Sequence, residues 1–164
     1  MTYLEPNGEI SAEFHARDGV ESLTYQTSGT HVRFVAPGSA TRGQYGLFEW
    51  NMQPRTGGAT PHFHRKISES FFVLSGLVEF FNGERWIPGR PGDFLYVPAG
   101  GVHGFRAPSD EPSSMLILFA PGEPREQYSR ALAEIRASGR QFTEQEWAEF
   151  LAEHDQYSVD SPAA

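Results

Sequence analysis

From His31 to Phe119 the chain alternates short β-prone segments with pairs of turn-forming residues. The pairs include Pro37-Gly38, Gly57-Gly58 and Pro88-Gly89. Many short strands separated by regular turns are typical of a β-sandwich or a β-barrel, so we predict an all-β fold. The predicted strands are residues 31–35, 45–52, 59–64, 69–74, 77–82, 84–87, 93–97, 102–106 and 114–119.

One pair of these strands carries a strong hairpin signal. Asn82-Gly83 separates Val78–Phe81 from Glu84–Ile87. A two-residue type I′ turn needs a positive φ at both central positions, and Asn and Gly adopt this conformation more readily than other residues. The two strands should therefore pair antiparallel across an Asn-Gly turn.

Chain length and net charge limit the classes of function that are possible. The 164 residues suit one domain, and 38% hydrophobic with 21% charged residues excludes a disordered chain. The net charge of -8 argues against nucleic-acid binding, which needs a cationic surface. The N-terminus lacks signal-peptide features, and the longest apolar run, residues 115–120, is too short for a membrane span. We expect a cytoplasmic protein that binds neither nucleic acid nor membranes.

The periodicity of hydrophobic residues becomes helical after Pro121. Pro124 suits the start of a first helix, and Gly139 suits its end. Thr143 and Glu146 form a capping box for a second helix, with Phe142 and Trp147 as a hydrophobic staple. We therefore predict a barrel at 1–120, a helical extension of the same domain at 121–157, packed outside the barrel, and a flexible tail at 158–164.

The chain has no cysteine, which excludes thiolate metal sites, disulfides and cysteine nucleophiles. A metal would have to be held by histidine and carboxylate. In the strand segment His62-Phe63-His64 the two imidazoles face the same side. Glu69 follows on the next predicted strand, and His103 is the best candidate for a further ligand. Three imidazoles and one carboxylate suit one divalent ion of Ni, Co, Mn, Fe or Zn.

With these residues the chain resembles the cupins, whose two sequence motifs cover about residues 56–107 here. The first motif, G-x5-H-x-H-x3,4-E-x6-G, matches at His62, His64, Glu69 and Gly76. The second motif, G-x5-P-x-G-x2-H-x3-N, matches at Gly92, Pro98, Gly100 and His103. The resemblance implies a small jelly-roll-like cupin barrel in which His62, His64, Glu69 and His103 bind one divalent metal.

Two positions depart from the cupin motifs. Thr56 stands where the first glycine belongs, with Gly57 one residue late, and Ala107 replaces the closing asparagine. Neither position is a metal ligand in the family, so these departures affect turn geometry more than ligation. The other histidines lie outside both motifs and are interpreted as surface or structural residues: His15, His31 and His154.

The single barrel, the His and Glu ligand set and the trailing helices resemble the bacterial quercetinase-type dioxygenases, which cleave flavonols. This implies an oxidoreductase that opens an enolic or aromatic substrate with O2, with Glu69 as metal ligand and catalytic base. Two alternatives remain open. One is a metal-dependent isomerase, lyase or polyketide cyclase that uses no O2, and the other is a non-catalytic cupin that binds a small molecule.

Aromatic residues are frequent around the two motifs, and Phe48 and Trp50 share one face of a predicted strand with Met52. Most of the aromatic side chains must fill the core. Those at the metal end would form an apolar wall, so we expect an apolar or aromatic small-molecule substrate. The family resemblance further implies a homodimer, and pairing would cover exposed edge strands.

Overall fold

The computed structural model describes residues 11–159. In this part of the chain a short 3₁₀ helix at Arg17–Gly19 precedes a series of strands and two helices. The elements are β1 (Ser22–Thr24), β2 (His31–Ala36), β3 (Gly46–Met52), β4 (His62–Phe63), β5 (Ser68–Ser75), β6 (Val78–Phe81), β7 (Trp86–Gly89), β8 (Phe94–Val97), β9 (Gly104–Arg106), β10 (Ser113–Ala120), α1 (Arg125–Ser138), α2 (Glu144–Glu153) and β11 (Tyr157–Ser158).

The strands form an antiparallel jelly roll. A six-stranded sheet has the order β1-β2-β3-β10-β5-β8, a three-stranded sheet has the order β7-β6-β9, and β11 pairs with β4. Aromatic side chains join the two larger sheets, since Phe71 of β5 lies 5.3 Å from Phe80 of β6 and 5.7 Å from Phe105 of β9, measured between ring centroids. The predicted all-β jelly-roll fold with two C-terminal helices is confirmed.

Strand β10 shows why the sheet has a single buried face. Its side chains alternate strictly between buried and half-buried positions, as the two-residue period of a strand requires. Met115, Ile117 and Phe119 point into the core, while Leu116 and Leu118 lie on the other face. The same alternation buries Phe71 and Val73 of β5. The core therefore lies between the sheets, beside the predicted metal ligands.

The Asn-Gly hairpin is confirmed as antiparallel, but its turn lies one residue further on. Phe81 pairs with Trp86, and the N–H of Asn82 donates to the carbonyl of Arg85 at 3.1 Å. Gly83 and Glu84 are thus the central residues, with a φ of 95° at Gly83. The Asn82 side chain accepts from the N–H groups of Glu84 and Arg85, an Asx-type turn that competes with the predicted one.

The predicted starts of both helices and the predicted end of α1 agree with the structure to within one residue. Helix α1 ends before Gly139, which has a left-handed φ of 69°, and the Thr143–Glu146 capping box opens α2. The hydrophobic staple is also present, with the rings of Phe142 and Trp147 5.0 Å apart. Leu132 of α1 is buried against the barrel core, so the helices cover one part of the barrel.

Several details differ from the sequence prediction. Strands β1 and β11 were not predicted, and the segment predicted at 59–64 is a strand only at His62–Phe63. Most aromatic side chains were expected in the core, but Phe94 and Tyr96 of β8 are 63% and 58% exposed, because they alternate onto the outer face of an edge strand. Ser158 lies in β11, inside the predicted tail, and residues 160–164 are outside the described residues.

Neither helix in residues 11–159 is both long enough and apolar enough to cross a membrane.

Candidate metal centre

Three separate strand segments bring the four predicted ligands together. His62 lies in β4 with His64 just after it, Glu69 lies near the start of β5, and His103 immediately precedes β9. The backbones of His62 and His103 pair through two hydrogen bonds, of 2.9 and 2.8 Å. All four side chains are buried, and one ligand atom from each lies within 4.8 Å of the others. The arrangement could hold one metal ion.

Each of the three imidazoles is oriented by a backbone carbonyl. Nδ1 lies 2.7 Å from the Thr60 oxygen for His62, 2.6 Å from the Asp155 oxygen for His64, and 3.0 Å from the Gly101 oxygen for His103. A carbonyl can only accept, so each Nδ1 carries the hydrogen. The lone pair of each neutral ring is therefore on Nε2. Such backing hydrogen bonds are characteristic of metal-binding histidines.

The carboxylate of Glu69 faces two of these lone pairs. Its Oε2 lies 3.0 Å from Nε2 of His64 and 2.7 Å from Nε2 of His103. Oxygen and nitrogen atoms that both accept repel each other at this distance unless a proton or a metal ion lies between them. Ligand atoms about 2.1 Å from one metal, at right angles, lie about 3 Å apart. The donor set and its spacing therefore fit a divalent transition metal.

Burial and charge shift the pKa values in this cluster. Burial lowers the pKa of His62 to about 3, so its ring stays neutral. Burial also opposes charge on His103, but the hydrogen bond to Glu69 prevails and raises the pKa of its ring above the ordinary 6.5. For Glu69 the opposing effect of burial is outweighed by the contacts with the His103 and His64 rings, which lower the pKa of its carboxyl. Glu69 is therefore an anion that requires a cation beside it.

We expect the apparent affinity for a divalent metal to fall as the pH drops below the raised pKa of His103. Proton and metal then compete for the same Nε2, which costs about tenfold in affinity for each pH unit. The neutral His62 adds no second proton until the pH approaches its own pKa of about 3. Competition against a chromophoric chelator at several pH values measures this slope. Full metal occupancy at strongly acid pH would contradict histidine ligation.

The remaining histidines do not join the cluster, as predicted. His15 is exposed beside Glu13, and Nδ1 of His31 makes a 3.0 Å hydrogen bond with the Thr24 hydroxyl. His154 packs against the rings of Tyr128 and Phe150, at centroid distances of 5.3 and 5.0 Å. Their interpretation as surface or structural residues is consistent with these positions.

Comparison with known proteins identifies the family. The sequence pattern of the cupin domain matches residues 48–119, and the chain is 30% identical over 118 residues to quercetin 2,3-dioxygenase of Bacillus subtilis (strain 168). The chain belongs to the cupin superfamily. That alignment covers 71% of this chain but only 33% of the Bacillus protein, so the chain spans about a third of its relative's length.

Solved structures share the cupin fold. KdgF from Halomonas sp. superimposes with a TM-score of 0.60 at 20% identity, covering 70% of this chain and 99% of KdgF. The polyketide cyclase RemF from Streptomyces resistomycificus has a TM-score of 0.56 at 19% identity, covering 77% of this chain and 98% of RemF. At these identities the likeness concerns the fold alone.

In this cupin the segment after α2 supports the metal centre, a role that was not predicted. The Asp155 carbonyl accepts from Nδ1 of His64, and its carboxylate accepts from three successive backbone N–H groups. These groups belong to residues 65–67, the turn between the histidine pair and Glu69, at 3.0, 2.8 and 3.3 Å. Asp155 is buried and has a left-handed φ of 55°. It therefore clamps the turn that sets the position of Glu69 relative to His62 and His64.

Replacing Asp155 with alanine should weaken both the fold and metal binding. The substitution leaves the N–H groups of residues 65–67 without their acceptor, at a cost of about 1–3 kcal/mol in stability. Metal affinity should fall about tenfold, because the turn that positions Glu69 is no longer held, although the backbone carbonyl that accepts from Nδ1 of His64 remains. Asp155→Asn retains one acceptor oxygen and the tolerance for a left-handed backbone, so it should lose less of both. Thermal unfolding and metal competition measure the two effects, and wild-type metal affinity in Asp155→Ala would refute the clamp.

Proposed function

We propose that this cupin is a divalent-metal-dependent dioxygenase of the quercetinase type, which opens an enolic or aromatic small molecule with O2. The observation that carries the proposal is the single carboxylate oxygen of Glu69 between the Nε2 atoms of His64 and His103. A purely structural site would not need this buried acid. The dioxygenase named among its relatives supports the same reaction class.

The three histidines and Glu69 have different roles in this reaction. A divalent metal, when bound, supplies positive charge that stabilises an enolate oxygen and acidifies the corresponding hydroxyl. His62, His64 and His103 would hold the metal in a buried site, where their Nδ1 hydrogens are already bonded to carbonyl oxygens.

Glu69 is the candidate base. The His103 and His64 rings lower the pKa of its carboxyl and keep it ionised at neutral pH, and a cation in the site would have the same effect, which suits a proton acceptor. Both ring contacts reach Oε2, and within residues 11–159 no hydrogen bond reaches Oε1. Oε1 is therefore the atom that would take the proton from an enolic hydroxyl of the substrate.

Oxygen uptake distinguishes this reaction from its alternatives. Elemental analysis of protein purified without added metal comes first, followed by O2 electrode measurements with flavonols, diketones and catechols. We expect O2 consumption that a chelator abolishes and that returns when the metal is restored. Substrate turnover without O2 uptake would replace the dioxygenase with an isomerase, lyase or cyclase, and metal-dependent binding without turnover would indicate a non-catalytic cupin.

We also propose that the chain forms a homodimer through the outer face of β5 and β8. Four large apolar side chains are between 40% and 63% exposed on these neighbouring strands: Phe72, Leu74, Phe94 and Tyr96. Phe72 and Phe94 are direct cross-strand partners, so the apolar surface is continuous. Contiguous exposed apolar patches mark interaction sites. Sedimentation equilibrium of the wild type and of Phe94→Glu tests this assembly, with a monomeric wild type as the contradicting result.

A further inference from the structure

A cleft of about 220 Å³ lies between the barrel and the C-terminal helices. About half of its wall is apolar, with Tyr25 and Trp50 from the barrel, Tyr128 and Leu132 from α1, and Trp147 and Leu151 from α2. The two helices are thus part of a cavity wall. Clefts that combine apolar walls with polar groups are the usual form of small-molecule sites.

None of the four candidate ligands lines the cleft, but residues connected to them do. Thr60, whose carbonyl accepts the Nδ1 hydrogen of His62, is part of its lining. Gln156, also in the lining, directly follows the Asp155 clamp. Trp50 extends the aromatic wall into the barrel, since its ring lies 5.5 Å from that of the buried Phe105. A molecule in the cleft would therefore lie next to the residues that orient the metal ligands.

Among the residues lining this cleft, Arg136 is the charged one. The lining contains no aspartate or glutamate, although the chain has 21 acidic residues against 13 basic ones. Arg136 is an exposed residue in the last turn of α1, donates a single 3.3 Å hydrogen bond to the Thr27 hydroxyl, and forms no ion pair within residues 11–159. An arginine in this setting offers its guanidinium to an anion.

We infer that the cleft binds an aromatic small molecule that carries an anionic group, with the ring against the aromatic wall and the anion at Arg136. This inference rests on the proposed function, because it names the class of molecule that would bind beside the metal centre. The volume is below the ~300–1,000 Å³ of sites for drug-sized ligands, so the molecule is small. The anionic group is the new requirement, beyond the apolar character expected from the sequence.

A matched pair of probes tests this inference: 2-naphthoate and its neutral isostere 2-naphthamide. Isothermal titration calorimetry gives both dissociation constants, and quenching of tryptophan fluorescence reports binding at the cleft, because Trp50 and Trp147 line it. We expect 2-naphthoate to bind about five- to tenfold more tightly than 2-naphthamide, the range of a charge-assisted contact at a solvent-exposed arginine. Equal affinity of the wild type for both probes, or no binding of either, would overturn the inference.

Single-residue variants distinguish a contact between the probe and Arg136 from an effect of the protein's overall charge. Arg136→Gln should reduce the preference for naphthoate to less than about twofold. Arg85→Gln removes the same charge from an exposed turn outside the cleft lining and should leave the preference unchanged. Trp147→Leu should lower the affinity for both probes equally, since it removes aromatic surface and no charge. A naphthoate preference that survives in Arg136→Gln would show that the anion binds elsewhere.

The same samples distinguish this inference from the proposed function. Probe binding is measured with the metal-loaded protein and again after chelation. Binding that depends on Arg136 in both forms supports the cleft even if no O2 is consumed with any substrate. Metal-dependent O2 uptake without a naphthoate preference would support the dioxygenase and remove the anionic requirement.

Discussion

Replacing His103 with alanine is expected to lower the affinity for a divalent metal by more than about 100-fold, because it removes one of four donors and unpairs Glu69. His62→Ala should have a comparable effect, since His62 and His103 are joined through their backbones and lie on the same cluster. The wild type should bind one ion per chain. Elemental analysis and chelator competition measure the affinity and the stoichiometry.

His31→Ala is the matched control for these variants. His31 lies outside the cluster and bonds with the Thr24 hydroxyl, so its loss should leave metal binding unchanged. Circular dichroism on all the variants establishes that they remain folded. If His62→Ala and His103→Ala keep full stoichiometry and wild-type affinity, the four residues do not form the metal site.

Glu69→Gln is expected to lower turnover by about 10² to 10⁴, the usual contribution of a general base, while most of the metal is retained by three imidazoles. The amide keeps the shape of the side chain but cannot accept the substrate proton as a carboxylate does. Turnover and metal content are measured together, on whichever substrate the O2 panel identifies. Full activity in metal-loaded Glu69→Gln would remove the carboxylate from the mechanism.

Glu69→Asp refines this test by keeping the charge and shortening the reach by one methylene. A base that depends on the position of Oε1 should lose rate, whereas a role based on charge alone should survive. Glu84→Gln is the control, because it removes the same charge from the exposed turn between β6 and β7. A non-catalytic cupin would show at most a modest change in ligand affinity for any of these variants.

Local sequence patterns predicted much of the fold. The helix boundaries were predicted at Gly139 and at the Thr143–Glu146 capping box, because caps depend on residues a few positions apart. The turn at Asn82-Gly83 was displaced by one residue, since the Asn82 side chain hydrogen-bonds the following backbone N–H groups. Sequence spacing does not distinguish between these two turns.

Burial depended on tertiary context. Phe94 and Tyr96 have the composition and spacing of core residues, yet they lie on the outer face of β8 at the edge of the six-stranded sheet. The alternation of a strand fixes which residues share a face, whereas the neighbouring strands decide which face is covered. The short strand β11 was missed for a similar reason, because two residues carry no periodic signal.

For the candidate metal centre, the sequence alone determined the donor types and their pairing: without cysteine only histidine and carboxylate remain, and His62 and His64 share a face because a strand repeats every two residues. Only the tertiary structure decided that His103 pairs with His62, that Asp155 clamps a turn about 90 residues earlier, and that Arg136 faces a cleft beside the site. These contacts join residues far apart in the chain. Their existence depends on the path of the whole backbone, which no local pattern encodes.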